Sequence, residues 1–192
     1  MVGIDEAGRG PLAGPVVAAA CIVESSVHLE GINDSKATKE ADRVATYEKL
    51  ISHPGVYFGV SIIDSTKIDE INILQATLLA MRSSTESMFS KHPHIKPENV
   101  RGLIDGNKVP GNMPCESEYV IKGDSIMYSI AAASIIAKVT RDRIMLKLDE
   151  KYPDYNFAKH KGYPVLSHRQ TLHELGPSPV HRFSYRYVVG RL

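Results

Sequence analysis

The chain has 192 residues, 43% of them hydrophobic, and a formal net charge of +1. This length and hydrophobic content predict a single globular domain over residues 1–192 and exclude a disordered protein. No apolar run approaches the roughly 20 residues that cross a membrane, and the first residues are acidic where a signal peptide is basic. We therefore predict a soluble, cytoplasmic protein that does not contact membranes.

The predicted elements alternate between strands and helices, which is typical of an α/β domain. Residues 1–4 and 16–23 are apolar and predict two strands around a glycine-rich turn, which we expect to pair as a hairpin. Ser65 or Thr66 is the predicted cap of a long helix that has two acids, residues 69–70, in its first turn. The other predicted elements are a helix at 38–52, a strand at 56–63, strands at 100–104 and 119–121, a helix at 125–151 and a helix at 164–175.

Basic residues are concentrated in the last part of the sequence. From residue 138 onward there are eleven Lys and Arg against five Asp and Glu, whereas residues 1–137 hold 12 basic and 17 acidic residues. This polarity fits an acidic site beside a basic surface, as an enzyme acting on a phosphate polymer would need. Ordinary solvated helix faces are the simpler explanation of the charge pattern taken alone.

The sequence begins MVGIDEAGRGPLAGP, in which an acid pair precedes a run of glycines. The glycines at 8, 10 and 14 are spaced GxGxxxG, whereas a dinucleotide-binding loop needs GxGxxG followed directly by a helix. Here a proline and a predicted strand follow, so no helix N-terminus is available to hold a pyrophosphate. We reject dinucleotide binding and expect the glycines to let the backbone approach a ligand closely, with Arg9 held between them.

Acidic residues fall at the ends of several predicted elements: Asp5 and Glu6 after the first strand, Asp105 after a central strand, and Asp124 before the long alanine-rich helix. Carboxylates gathered at one edge of a sheet repel one another unless cations lie among them, and oxygen ligands favour Mg²⁺ or Mn²⁺. Because adjacent strand residues point to opposite faces, Asp5 and Glu6 converge only if the strand ends or bulges there. Taken singly, Asp124 is also explained as a helix cap and Asp105 as part of an Asp-Gly turn.

Seven motifs occur along the chain in a fixed order: GIDEAGRGPLAGPV, INDSK, DEINILQAT, LIDGN, VIKGDS, AAASIIAKVTRD and FAKHKGYP. In their order and separations they resemble bacterial ribonuclease HII over nearly the whole chain. The resemblance implies an RNase H-like α/β fold, a mixed central sheet flanked by helices, with a small helical C-terminal portion at about 153–192. It also implies an endoribonuclease that hydrolyses the RNA strand of RNA/DNA hybrids and incises duplex DNA 5′ of single embedded ribonucleotides. The products would carry 3′-hydroxyl and 5′-phosphate ends.

The resemblance assigns the metal-binding and catalytic roles to four acids. They are Asp5, Glu6, Asp105 and Asp124. By this resemblance they would bind two divalent ions, Mg²⁺ or Mn²⁺, for an in-line hydrolysis of the phosphodiester that needs no covalent nucleophile.

The resemblance also identifies residues that would recognise the substrate. The family reads the ribose 2′-hydroxyl with its GRG motif, here Gly8, Arg9 and Gly10, whose backbone can lie against the sugar. Tyr163 would stack on the sugar of the next nucleotide, although a tyrosine before a proline in a loop is also typical of surface packing. The candidate phosphate contacts are Lys36, Asn72, Gln75, Ser125, Lys138 and Arg141.

The C-terminal segment departs from the family pattern. The family usually ends near HRRSF, whereas this chain reads HRFSYRYVV, so that Arg182 is kept and Phe183 replaces a basic residue.

Two other classes remain alternatives: another metallonuclease of the same superfold, which would give no reason for GRG, and a non-catalytic hybrid-binding module, which would tolerate loss of the acids. We expect a monomer whose partners are nucleic acids.

Overall fold

The structure is a computed structural model that describes residues 1–32, 39–188 and 190. Five strands and five α-helices occupy these residues, together with three short 3₁₀ turns. The strands are β1 (Val2–Ala7), β2 (Val16–Val23), β3 (Val56–Ile63), β4 (Gly102–Asp105) and β5 (Ser117–Val120). The helices are α1 (Glu40–Ser52), α2 (Ser65–Lys91), α3 (Tyr128–Lys151), α4 (Phe157–His160) and α5 (Leu166–Leu175).

The strands form one mixed sheet in the order β3-β2-β1-β4-β5. β1 and β2 pair antiparallel, which confirms the predicted hairpin, and β2 and β3 also pair antiparallel. β4 lies parallel to β1, and β5 lies parallel to β4. The sheet therefore has β1 at its centre, between an antiparallel half and a parallel half, so the residues at the end of β1 have neighbours on both sides.

Helices cover both faces of this sheet. On β2, Ala19 and Cys21 pack with residues of α3, whereas Ala18 and Ala20 belong to the core with α2, as the alternation of side chains along a strand requires. α3 approaches β1 so closely that a Cβ on Gly3 would lie 2.1 Å from the backbone carbon of Ser129. Small residues on the strands and alanines on α3 thus bring the helix directly against the centre of the sheet.

The C-terminal residues pack against the loop that joins β1 to β2. Leu12 and Ala13 from this loop share a buried cluster with side chains of α3, α5 and the segments after them. The backbone N–H of Leu12 donates to Gly162 O at 2.8 Å, and the N–H of Arg182 donates to Leu12 O at 2.8 Å. The C-terminal portion is therefore fixed to the loop that follows the first two acids.

Several predicted boundaries differ from the observed ones. The N-cap of α2 is Asp64, whose carboxylate accepts from Lys67 N at 2.8 Å, so the predicted cap at Ser65 or Thr66 was wrong and residues 69–70 lie beyond the first turn. α3 begins at Tyr128 rather than 125, because residues 123–125 form a 3₁₀ turn. β1 extends to residue 7, β4 and β5 are shifted from their predicted bounds, α1 begins at 40 and α5 begins at 166. No helix among the described residues is long and apolar enough to cross a membrane.

Candidate active site

A cleft of about 420 Å³ lies at the carboxyl end of β1. It brings together all four of the predicted acids, the three residues of the GRG motif, the predicted tyrosine and one of the predicted phosphate-binding lysines. Its lining includes Asp5, Glu6, Gly8, Arg9, Gly10, Asp105, Asp124, Lys138 and Tyr163.

Two neighbouring parallel strands deliver the first acids. The register pairs Ile4 with Ile104, so Asp5 on β1 lies beside Asp105, the last residue of β4. Adjacent positions on paired strands share one face of a sheet, which explains why these two carboxylates meet. We expected β1 to end or bulge at Asp5 and Glu6. It continues to Ala7, and Glu6 still lines the same cleft.

The fourth acid lies in the 3₁₀ turn before α3. Asp124 is buried, and the backbone N–H of its neighbour Gly123 donates to Asp105 Oδ1 at 2.7 Å. The N-cap of α3 is Met127, which makes no side-chain cap bond, so the alternative explanation of Asp124 as the cap of this helix is wrong. Ser125 is exposed, and its hydroxyl donates to Asp124 Oδ1 at 3.4 Å.

Burial and electrostatic repulsion make the carboxyl groups of Asp5 and Glu6 costly to ionise. Asp5 is only 5% exposed, and burial raises its pKa well above the ordinary value, with further increases from Glu6 and Asp105. Burial also raises the pKa of Glu6, whereas Arg9, whose Nη1 lies 3.4 Å from Glu6 Oε1, opposes that increase. A cation placed among these oxygens would relieve the repulsion.

The donor set fits divalent ions of the Mg²⁺ class. Carboxylate oxygens are the hard ligands that Mg²⁺ and Mn²⁺ prefer. Within residues 1–32, 39–188 and 190, no three or more His, Cys, Asp or Glu side chains form a ready-made metal site. Mg²⁺ is usually bound through one or two carboxylates, and water and substrate phosphates complete its shell.

The GRG turn has a backbone that only glycine adopts easily. Gly8 has a φ of +100°, and a Cβ at this position would lie 2.2 Å from Arg141 Nε. A Cβ on Gly10 would lie 3.6 Å from Tyr163 Cε1, so a methyl group at this position would contact the ring. The ring is 42% exposed and lines the cleft.

The predicted phosphate contacts divide into different groups. Lys138 lines the cleft, with its Nζ 2.7 Å from Asp142 Oδ1. The prediction for Arg141 was wrong, because its side chain is 1% exposed and donates to Pro15 O at 3.0 Å, out of reach of a phosphate.

Two further candidates lie away from the acids. Asn72 and Gln75 are exposed on α2, where Asn72 has a φ of +66° and its Oδ1 accepts from Gln75 N at 3.1 Å. They are not among the residues that line the acidic cleft. Lys36 lies outside the described residues.

Two polar residues that we did not predict also line the cleft. Ser134 on α3 makes a side-chain hydrogen bond with Asp5 that partly offsets the increase in its pKa. Its signal in the sequence was a single polar residue after three alanines on a buried helix face. Arg43 reaches the cleft from α1, and no feature of the sequence distinguished it from other surface arginines.

Comparisons with known proteins identify the family of this chain. A family model described as Ribonuclease HII matches residues 2–188. Ribonuclease HII of Geobacter sulfurreducens is 48% identical over 188 residues, which cover 98% of this chain and 82% of the relative. The crystal structure of ribonuclease H2 from Pyrococcus horikoshii OT3 matches with a TM-score of 0.80 at 26% identity, covering 99% of this chain and 95% of that one.

A more distant structure shares the fold. Bst-RNase HIII, solved in complex with Mn²⁺, is 16% identical, with a TM-score of 0.75 and coverage of 99% of this chain and 68% of that one. Both structural matches agree with the predicted RNase H-like α/β fold, a mixed sheet with flanking helices. The chain therefore belongs to the ribonuclease HII family, and its activity is that of a ribonuclease H, an endoribonuclease acting on nucleic acid.

Proposed function

We propose that this ribonuclease H cuts the RNA strand of RNA/DNA hybrids and incises duplex DNA on the 5′ side of a single embedded ribonucleotide. The products carry 3′-hydroxyl and 5′-phosphate ends. The observation that carries the proposal is the shared cleft, in which the four acids lie beside the GRG turn and Tyr163. The acids would be enough for phosphodiester hydrolysis. The glycine turn and the ring of Tyr163 add a surface on which a sugar can lie.

Two divalent ions, Mg²⁺ or Mn²⁺, are the proposed cofactors. Asp5 and Asp105 meet on neighbouring strands and, with Glu6 and Asp124, would hold the ions. Bound there, such ions supply Lewis-acid activation of the attacking water and neutralise charge at the departing 3′ oxygen. The N–H of Gly123 donates to Asp105 Oδ1, and this bond restricts the orientation of the proposed ligand.

The GRG turn supports recognition of the ribose. Gly8 and Gly10 carry no side chain, so a sugar can approach the backbone of the turn without meeting a Cβ. A 2′-hydroxyl both donates and accepts hydrogen bonds, and backbone amides and carbonyls can therefore distinguish ribose from deoxyribose. Tyr163 is half exposed beside Gly10, which supports the proposal that its ring stacks on the sugar that follows the ribonucleotide.

Basic and polar side chains around the cleft support contact with phosphates. Lys138 lines the cleft beside the acids, and Ser125 is exposed next to Asp124. A lysine near the scissile phosphate would offset part of the negative charge that accumulates when the backbone of a nucleic acid enters an acidic site. Phosphate contacts by Asn72, Gln75 and Lys36 stay predictions. The monomeric state, the cytoplasmic location and the single domain over residues 1–192 also stay predictions.

The test is cleavage of a labelled DNA duplex with one embedded ribonucleotide, beside an all-DNA duplex and a continuous RNA/DNA hybrid. Each substrate is incubated with Mg²⁺, with Mn²⁺ and with chelator. We expect one metal-dependent cut on the 5′ side of the ribonucleotide and no cut in the all-DNA duplex. Cleavage of the hybrid without the junction cut would overturn the proposed reading by the GRG turn and Tyr163 but leave the metal site intact.

A further inference from the structure

The GRG turn rests on one buried guanidinium. Arg182 is fully buried, and its Nη2 donates to Gly8 O at 2.6 Å, Gly14 O at 2.9 Å and Pro15 O at 3.2 Å. Its Nε donates to Gly14 O at 3.0 Å and its Nη1 to Arg9 O at 3.0 Å. A single side chain from the C-terminal portion therefore holds four carbonyl groups of the loop between β1 and β2.

Two neighbouring side chains complete this support. The Tyr185 hydroxyl donates to Arg9 O at 2.8 Å and accepts from Arg182 Nη1 at 3.0 Å. Arg141 on α3 donates from Nε to Pro15 O at 3.0 Å and from Nη2 to Ala13 O at 3.2 Å. The carbonyl side of the loop is thus held at both of its ends.

The support is costly, which indicates a role beyond packing. Burial, together with the charge of Arg182, lowers the pKa of Arg141 to about 10. Burial also lowers the pKa of Arg182. Removing two like charges from water carries a large free-energy penalty that well-packed apolar side chains would avoid. What the guanidiniums provide and apolar groups do not is a fixed direction for several carbonyl groups.

Fixing the carbonyls also fixes the amides. In a trans peptide the C=O and the N–H of the same unit point in opposite directions, and the described residues contain no cis peptide bond. The carbonyls of Gly8 and Arg9 point towards Arg182, so the N–H groups of Arg9 and Gly10 point away from it. Arg9 and Gly10 line the cleft, and their amides are therefore available to a ligand there.

We propose that Arg182, assisted by Tyr185, is a specificity-determining positioning residue of this site. It touches no substrate; it holds the GRG carbonyls so that the amides of Arg9 and Gly10 meet the ribose 2′-hydroxyl. This inference rests on the proposed function, because it presumes that the GRG turn reads that hydroxyl. It gives the retained arginine of the atypical HRFSY segment a role that does not require the basic neighbour replaced by Phe183.

The test uses Tyr185→Phe, which removes one hydroxyl, and Arg182→Lys, which keeps the charge and loses the planar fork. The matched control is Tyr187→Phe, a half-exposed tyrosine of the same segment whose ring lies over Arg169. Binding of each protein to a single-ribonucleotide duplex and to the all-DNA duplex is measured by fluorescence anisotropy in chelator, and cleavage of the first duplex is measured with Mg²⁺. The melting temperature is measured for each protein.

We expect Tyr185→Phe to lower the affinity ratio of ribonucleotide duplex to all-DNA duplex about 2- to 10-fold, as the loss of one hydrogen bond allows. Arg182→Lys lowers it at least about tenfold, and Tyr187→Phe leaves it unchanged. Equal losses of affinity for both duplexes would mean a purely structural role and overturn the inference, as would an unchanged ratio in folded Tyr185→Phe. If Arg182→Lys does not fold, Tyr185→Phe alone decides. A wild-type protein that cleaves a hybrid but shows no preference for the ribonucleotide would instead overturn the proposed function, and this inference with it.

Discussion

Asp105 Oδ1 accepts a hydrogen bond of 2.7 Å from the backbone N–H of Gly123. This bond joins the end of a central strand to the turn that carries Asp124, so two acids that are 19 residues apart in sequence are held in one unit. It also gives Asp105 Oδ1 a hydrogen-bond donor within the protein. Backbone hydrogen bonds therefore help to organise the acidic cleft.

Replacing Asp5 by asparagine separates activity from folding. Asp5→Asn keeps the shape of the side chain but removes a buried charge whose ionisation is opposed by burial, Glu6 and Asp105. We expect cleavage of the hybrid to fall by at least about a thousandfold, since the charge that would hold the ions is lost. The metal-free melting temperature should stay the same or rise, because electrostatic repulsion is reduced. Substantial metal-dependent activity in this variant would contradict the assignment of Asp5.

Divalent ions should stabilise the protein through the same acids. A ligand that binds only the folded state raises its stability by RT ln(1 + [L]/Kd), or about 2.7 kcal/mol at a hundred times Kd. We expect Mg²⁺ or Mn²⁺ to raise the melting temperature of the wild type and to have little effect on Asp124→Asn. Glu116→Gln is the control, because Glu116 is an exposed acid paired with Arg101 outside the cleft. An equal rise in all three proteins would indicate binding elsewhere.

The sequence predicted the central elements well and their boundaries less well. The strands at 16–23 and 56–63 were predicted at their observed bounds, from a run of β-branched residues and alanines in the first and an alternating pattern in the second. The start of α3 was placed three residues early, because Lys122 adopts a left-handed conformation and a 3₁₀ turn intervenes. A lysine carries no sequence signal for that conformation.

The site was predictable where a motif carried it. The four acids, GRG and Tyr163 do line one cleft, as the order of the motifs implied. Arg141 was placed wrongly, because the sequence does not show whether a basic residue on a long helix faces a substrate or a buried loop carbonyl. The contacts of Arg182 with residues 8–15 span more than 160 positions, and no local pattern reveals such a contact.

Adding one methyl group to the GRG turn should destabilise the protein. Gly8→Ala places a Cβ 2.2 Å from Arg141 Nε at a φ of +100°, so both the clash and the backbone strain oppose it. We expect a loss of about 2–4 kcal/mol, comparable to other strained sites. Gly111→Ala is the control, because a Cβ there meets nothing within 4 Å. Thermal unfolding of both proteins is the measurement, and equal melting temperatures would show that the turn can relax.

The ring of Tyr163 should matter more at a junction than in a continuous hybrid. Tyr163→Ala removes stacking worth about 1–3 kcal/mol, so we expect a 10- to 100-fold lower rate on the single-ribonucleotide duplex. Tyr163→Phe keeps the ring and should retain most of the activity. Tyr119→Ala is the control, an exposed tyrosine on β5 outside the cleft. Equal losses on the junction duplex and on the hybrid would argue against a sugar-specific role.

Three buried histidines hold the segment that carries Tyr163. His168 Nδ1 lies 2.9 Å from Tyr163 O, His168 Nε2 lies 3.0 Å from His181 Nε2, and His181 Nδ1 accepts from Ser178 N at 2.9 Å. Because His181 Nδ1 accepts from Ser178 N, the proton of neutral His181 lies on Nε2, which donates to His168 Nε2. One neutral tautomer of each ring therefore satisfies all three hydrogen bonds. His160 stacks on His168 with a centroid distance of 4.3 Å, which brings a third ring into the cluster.

Acid should therefore weaken this region. Burial lowers the pKa of His168 and of His181 to about 4, below the ordinary 6.5, so between pH 4 and 6.5 the unfolded chain binds more protons than the folded one. The contribution of these rings to stability is complete above pH 6.5 and is lost as pH falls towards 4. We expect the melting temperature to drop between pH 7 and pH 5, and His168→Gln to show a smaller drop. His173→Gln, which changes an exposed histidine of the same helix, should behave like the wild type. A melting temperature that is flat across this range in the wild type would contradict the neutral, buried cluster.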